Sequence, residues 1–306
     1  MTARGTGISA HVGNMDLSDL PARLDEIESY GAETIEIPLF DMDIVVGGRI
    51  RAERMNLLRQ ACARRNVAYT VHGPLGTNFM DQPFRLERHF EVLKASLEAS
   101  AEIGAVHYVM HTGLIPTQLN EGIEAGYARQ REMLARAGDV AREHGIVLCV
   151  ENLFAGYEGK VHTARPSRLA AEITAIGHSH VMATLDFSHA YLNCSFLGIH
   201  FLSEIAALAP VAKHLHVHDS FGRQDDIWMY TDGERVAYGH GDLHLPVGWG
   251  DLPWRDVLDG CVFPDGAVFN IELKRRYWYE AANCIRTVKR FAAEANFRSN
   301  HAAAAE

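Results

Sequence analysis

The chain has 306 residues, 47% of them hydrophobic, and a formal net charge of −10. This length and apolar content suit one large buried core, within the range of a single α/β barrel domain, and the acidic balance disfavours a nucleic-acid partner, whose phosphates require a basic surface. Cys62, Cys149, Cys194, Cys261 and Cys284 are odd in number, widely spaced and never in a C-x-x-C pair, which argues against a disulfide framework or a thiolate zinc knuckle and for reduced thiols. The opening MTARGTGISAHVG lacks an apolar segment long enough for a signal peptide, and no stretch reaches the roughly 20 apolar residues of a membrane span; a cytoplasmic protein with no membrane partner is expected.

In chain order, GISAHV at 7–12 is the first strand-like run and TIEIPLF at 34–40 the second, carrying Glu36 near its end. Arg49, Arg51, Arg54, Arg59, Arg64 and Arg65 then crowd one helical region, read as a solvated amphipathic helix. AYTVHG at 68–73 is the third run and presents His72. A helical period starts at Phe90, with apolar residues returning every three or four positions, and HYVMHTG at 107–113 follows with His111. A second long helix begins near Gly126, and IVLCVEN at 146–152 ends on Glu151. VMATLDF at 181–187 presents Asp186, with His189 three residues later; HLHVHDS at 214–220 presents His218; VFNIELK at 268–274 presents Glu272 and Lys274. Gly31, Gly104, Gly145 and Gly177 each close a helical period as left-handed C-caps. A long connection at 221–250 carries Asp242 and His244 and precedes a helix starting near Pro253; such loops in compact domains are usually functional. The barrel is expected over 1–297, with a disordered tail at 298–306.

Eight strand and helix units with no G-x-G-x-x-G turn predict a (β/α)₈ TIM barrel of one domain. Active sites in that fold gather at the C-terminal strand ends, where these residues fall. A lone histidine there is ordinarily a hydrogen-bonded core or rim residue, and that plain reading covers His11, His107, His214 and His216. Six strands ending in His, Asp or Glu are different, because unpaired carboxylates and imidazoles converging in one mouth are costly without a cation. Mixed oxygen and nitrogen ligands suit zinc, manganese, iron or cobalt better than magnesium or calcium. Glu36 is open to two readings, a bond to a substrate hydroxyl or a salt bridge within the mouth. Lys274 shares the face of Glu272 and either positions an oxyanion or pairs with a carboxylate. Trp228, Tyr230, Trp249 and Trp254 could wall a sugar-sized pocket, with Trp249 the candidate substrate contact, although packing is the plainer role for each.

The motifs IEIP at Glu36, VHGP at His72, MHTG at His111, VEN at Glu151, LDFSHA from Leu185, HVHDS from His216, DLHLPVGWGDLPW from Asp242 and IELK at Glu272 resemble the xylose isomerase-like TIM-barrel superfamily. That group holds sugar phosphate isomerases and epimerases together with endonuclease IV, and the resemblance covers nearly the whole chain. Its ketose epimerase branch implies one divalent cation held by Glu151, Asp186, His218 and Glu272, with Glu151 and Glu272 exchanging a proton to form an enediolate. Its endonuclease IV branch implies a trinuclear zinc site from His72, His111, Glu151, Asp186, His189, His218, Asp242, His244 and Glu272. One to three ions per chain therefore stay open.

The expectation is a divalent-metal-dependent carbohydrate isomerase or epimerase acting on a sugar or sugar derivative, with His72, His111, His189, Glu36, Lys274 and Trp249 contacting substrate. The alternatives are an endonuclease IV-like phosphodiester hydrolase, a metal-dependent dehydratase or lyase acting on an oxidised sugar or glycoside, and a binding module that keeps the site for stability. The aspartate-rich segment between His218 and Asp242 and the acidic charge weigh against DNA. No glycine-rich phosphate cradle stands at the seventh or eighth run, which favours an unphosphorylated substrate. A homo-oligomer stays open.

Overall fold

A computed structural model describes residues 3–116, 122–155, 161–224 and 226–298. Eight parallel strands close into a barrel: β1 (Gly5–Ser9), β2 (Thr34–Pro38), β3 (Ala68–His72), β4 (Ala105–His111), β5 (Val147–Glu151), β6 (Val181–Asp186), β7 (Ala212–Val217) and β8 (Val268–Ile271). Each strand pairs with its neighbours in sequence, and β8 returns to β1. This is the barrel that the alternation predicts. The first strand lies earlier than expected, because its pairing with β8 runs from Gly5 and ends before Ala10. The last stops at Ile271, so Glu272 and Lys274 stand just beyond it.

The helices are α1 (Leu20–Ser29), α2 (Ala52–Cys62), α3 (Pro83–Glu102), α4 (Ile123–Glu143), α5 (Pro166–Ile176), α6 (Phe187–Leu197), α7 (Phe201–Leu208), α8 (Asp232–Tyr238), α9 (Trp254–Gly260) and α10 (Ala281–Glu294). The four predicted cap glycines, Gly31, Gly104, Gly145 and Gly177, take φ of 82°, 69°, 68° and 61°, the left-handed conformation in which a Cβ is disfavoured. No helix among the described residues is long and apolar enough to cross a membrane. All five cysteines are free and buried. The arginine-rich stretch serves packing: Arg65 pairs with Asp25 and Glu28 of α1, and Arg59 with Glu102 of α3.

Period-2 alternation divides each strand between two environments. Ile8, Ile35, Ile37, Val71, Leu148, Val150, Leu185, Leu215, Val217 and Ile271 are essentially fully buried in the apolar layer, each contributing roughly 1.5–3 kcal/mol. The alternate positions, including Glu36, His72, His107, Glu151, Asp186, His214, His216 and Asn270, are also buried, and they build a polar interior. Gly7 is required where β1 approaches β2, because a methyl there would meet the Thr34 carbonyl and hydroxyl.

The connection at 221–250 has structure of its own. Thr231 and Glu234 form a reciprocal capping box at the start of α8, a pairing that satisfies two otherwise free backbone donors. Asp219, just beyond β7, accepts from Gly248 N at 2.7 Å, Ser220 N at 3.1 Å and Trp254 Nε1 at 3.1 Å. One buried carboxylate thereby ties the start of this segment to its end. Beyond Arg298, the tail expected to be disordered lies outside the described residues.

Candidate metal centre

The strand ends place four of the predicted carboxylates around a histidine that the plain reading had set aside. His216 Nδ1 lies 3.3 Å from Glu151 Oε1, 3.5 Å from Glu272 Oε2 and 3.8 Å from Asp186 Oδ2. Its other nitrogen, Nε2, lies 3.4 Å from Glu36 Oε2 and donates to it. Glu36 also accepts from Ser9 Oγ at 2.8 Å and Asn270 Nδ2 at 2.9 Å, and stands 3.0 Å from His214 Nε2. A carboxylate behind an imidazole fixes its tautomer and turns the opposite lone pair forward. Glu36 thus orients His216, closer to the salt-bridge reading than to a bond with a substrate hydroxyl.

His218, the expected ligand, sits one level higher. Its Nε2 lies 3.0 Å from Asp186 Oδ2, and its ring stacks on His244 with centroids 4.0 Å apart. Residues two apart share a strand face, so both histidines point into the mouth, but only His216 meets all three carboxylates.

Two further groups flank this core. His72 Nε2 and His111 Nε2 lie 3.2 and 3.8 Å from Glu151 Oε2. On the other side, His189 Nε2 and His244 Nε2 lie 3.4 and 2.7 Å from Asp242 Oδ2. His72, His189 and His244 each donate Nδ1–H to a backbone carbonyl, those of Gly73, Asn152 and Glu272, all at 3.1 Å. In all three Nε2 is left facing a carboxylate, and on losing its proton it would present a lone pair in the orientation that metal-ligating histidines usually have. All nine candidate ligands are brought together, and His216 joins them.

Local sequence explains the positions. Asp186 is the N-cap of α6: Oδ1 accepts from His189 N at 2.7 Å, which leaves Oδ2 for the cluster. Aspartate is a preferred N-cap because its carboxylate satisfies a free helix N–H. Asn152, next to Glu151 in VEN, donates Nδ2–H to Asp186 O and accepts Asp186 N–H, both at 2.9 Å. That reciprocal pair locks the ends of β5 and β6 together. His244 takes φ 46°, an uncommon conformation for a residue with a side chain and one that gathers at functional sites.

The electrostatics follow from this crowding. Burial opposes charge on His216 and His189, but Glu272, Glu151 and Glu36 around the first and Asp186 and Asp242 around the second outweigh it and raise both well above the usual imidazole range. Burial raises the Glu36 carboxyl, yet His216 and His214 overcome it and hold it well below the usual carboxylate range. Burial dominates at His111 and lowers it to about 4.

Whether a cation fits can be judged from unsatisfied atoms. Glu151 Oε1 and His216 Nδ1 are buried 3.3 Å apart without a well-aligned hydrogen bond, and Asp242 Oδ1 is buried with no hydrogen-bond partner, although such groups are nearly always paired. They lie where carboxylates and imidazole lone pairs converge, and oxygen with nitrogen donors suits a divalent transition ion. Both flanking triads have ligand atoms within 4.8 Å of one another.

Beside the cluster is a cavity of about 340 Å³ lined by Ser9, His11, Glu36, Pro38, Phe40, His72, His244, Glu272, Leu273, Lys274 and Arg275, among others. Its size suits a small ligand. His11, not predicted as a site residue, donates Nε2–H to Leu273 O at 2.5 Å and so holds the wall. Phe40 stands edge-on to His72 at 5.4 Å. Lys274 lies 3.2 Å from Asp232 Oδ2 of α8, the carboxylate pairing expected. Trp249 packs against Tyr277 and Trp254 against Phe187 and Phe291; neither lines this cavity, nor do the exposed Trp228 and Tyr230.

Solved structures share this architecture. A D-tagatose 3-epimerase-like protein aligns at 20% identity with a TM-score of 0.67, over 94% of this chain and 96% of its own. The 3-keto-D-glucoside 4-epimerase of E. coli aligns at 14% and 0.64 over 92% and 98%, and a zinc-bound IOLI protein at 15% and 0.64 over 95% and 97%. At these identities the likeness establishes the fold. No curated protein sequence matches the chain. The profile of the xylose isomerase-like TIM barrel matches residues 24–288, most of the length, and the chain belongs to that family.

Proposed function

We propose that the protein is a divalent-metal-dependent sugar isomerase or epimerase. The observation that carries this is the convergence of Glu151, Asp186 and Glu272 on His216 Nδ1, beside a cavity of monosaccharide size. Those four residues would hold the ion, with His216 taking the place that the sequence assigns to His218. A bound divalent cation supplies Lewis-acid stabilisation of the negative charge that develops when a C–H next to a carbonyl is deprotonated. Glu272 borders the cavity and would take that proton. Glu151, 3.3 Å from the same His216 Nδ1 that Glu272 approaches, would be the carboxylate that returns one. Glu36 and Asn152 act behind them, keeping His216 and Asp186 in position, and Phe40 and Pro38 exclude water from one wall.

The neighbours named for epimerases of D-tagatose type and of a 3-keto-D-glucoside support a sugar substrate. The test is solvent deuterium exchange into carbon of a ketose by protein loaded with Mn²⁺, Co²⁺ or Zn²⁺. Absence of exchange across a broad ketose panel sinks the proposal.

The two flanking triads favour a second reading, a multinuclear centre for hydrolytic or lyase chemistry such as cleavage of a phosphodiester or of an oxidised glycoside. Metal content of the purified protein separates the two. One ion per chain supports isomerisation; two or three, with nicking of an abasic duplex, would replace it with hydrolysis.

A further inference from the structure

The cavity joins two opposite electrostatic environments. Its lining includes Glu36, Glu272, His72 and His244 together with two cations, Lys274 and Arg275. This is unusual in a chain of net charge −10, whose overall field repels anions. Arg275 is exposed and forms no ion pair with any described residue. Lys274 is held by Asp232, at the start of α8, with side-chain exposures of 39% and 55%. An ion pair this open to water is weak, so a better anion displaces Asp232 readily. Neutral sugar hydroxyls need no cations at such a wall. A carboxylate or phosphate does, because charge-assisted hydrogen bonds to lysine and arginine are the strong ones.

We propose that the cavity takes a monosaccharide bearing an anionic group, a carboxylate or a phosphate, which Lys274 and Arg275 recognise while Asp232 occupies Lys274 in the free protein. This rests on the isomerase reading and sharpens its substrate class. The anion sets the sugar's orientation, its charged end at Lys274 and Arg275 and its reacting carbons toward Glu272. Binding moves α8, because Asp232 must release the lysine. The segment at 221–250 thereby becomes a sensor of the substrate's charge.

The test measures binding of D-glucuronate, D-fructose 6-phosphate and D-fructose to the metal-loaded protein by calorimetry. One anionic sugar is expected to bind at least tenfold more tightly than fructose, and which one identifies the group as carboxylate or phosphate. Lys274→Gln and Arg275→Gln should each cut that preference about tenfold, Lys274→Arg should keep most of it, and Asp232→Asn should raise affinity for the anionic sugar severalfold. Equal binding of all three sugars, or a preference untouched by both glutamine variants, overturns the inference. Deuterium exchange into a neutral ketose without any charge preference in binding overturns it and leaves the isomerase reading standing. Charge-selective binding with no exchange into any sugar supports it and counts against isomerisation.

Discussion

The strand-borne and the loop-borne candidate ligands are built differently. Glu151, Asp186, His216 and Glu272 lie at or within one residue of the ends of paired strands, and two of them are held from behind by the barrel: His216 by Glu36 and Asp186 by Asn152. Asp242 and His244 belong to the connection after β7, and His189 to the first turn of α6. Their positions depend on Asp219, on the backbone at Glu272 and on one another. Sites carried on regular elements are more precisely placed than sites on loops. The strand-borne group is therefore a preorganised centre, and the loop-borne group one whose occupancy can vary.

Five substitutions, two of them compared with each other, would break or sharpen this contrast, from the largest effect down. Glu151→Gln removes the carboxylate whose two oxygens serve both the core and the His72 triad, so deuterium exchange should fall by roughly 10³-fold or more, about 4 kcal/mol; an active variant would dissolve the special status of the core. His216→Ala should lower affinity for the core ion at least 100-fold, more than His218→Ala, as read by competition with a chromophoric chelator. If His218→Ala proves the more damaging, the ligand assignment reverts to the position the motif suggested. Asp242→Asn should weaken metal at the outer triad roughly tenfold or more while leaving one ion per chain by elemental analysis; loss of all metal would show a single indivisible centre. Thr231→Ala removes the α8 cap and should cost about 1 kcal/mol, read by hydrogen exchange confined to 231–240. Global destabilisation would mean that this segment is part of the core.

The barrel was legible because both of its signals are local: apolar runs that end in polar residues, and glycines that stop helices. The nine candidate ligands stood out for related reasons: six close an apolar run, Asp242 and His244 lie in the one long connection, and His189 follows Asp186 by three residues. His216 was not. His214, His216 and His218 share one face, and choosing among them requires the height of β7 relative to β5 and β8, which depends on barrel register, including the irregularity between Ala183 and Thr184. Glu36 lies in the middle of β2 and not at its end, and its partner lies on β7, 180 residues away. Asn152 and Asp219 stood inside quoted motifs, VEN and HVHDS, yet their partners are backbone groups that no side-chain pattern reveals.

His244 carries one more consequence. Its left-handed backbone, φ 46°, disfavours any residue with a Cβ by roughly 1–2 kcal/mol, and glycine alone relieves it fully. His244→Gly would relieve that backbone cost but give up the bond to the Glu272 carbonyl, the bond to Asp242 and the stack on His218. The imidazole therefore holds a backbone shape that it does not itself favour, and thermal melting of His244→Gly weighs the relieved backbone directly against the three lost contacts.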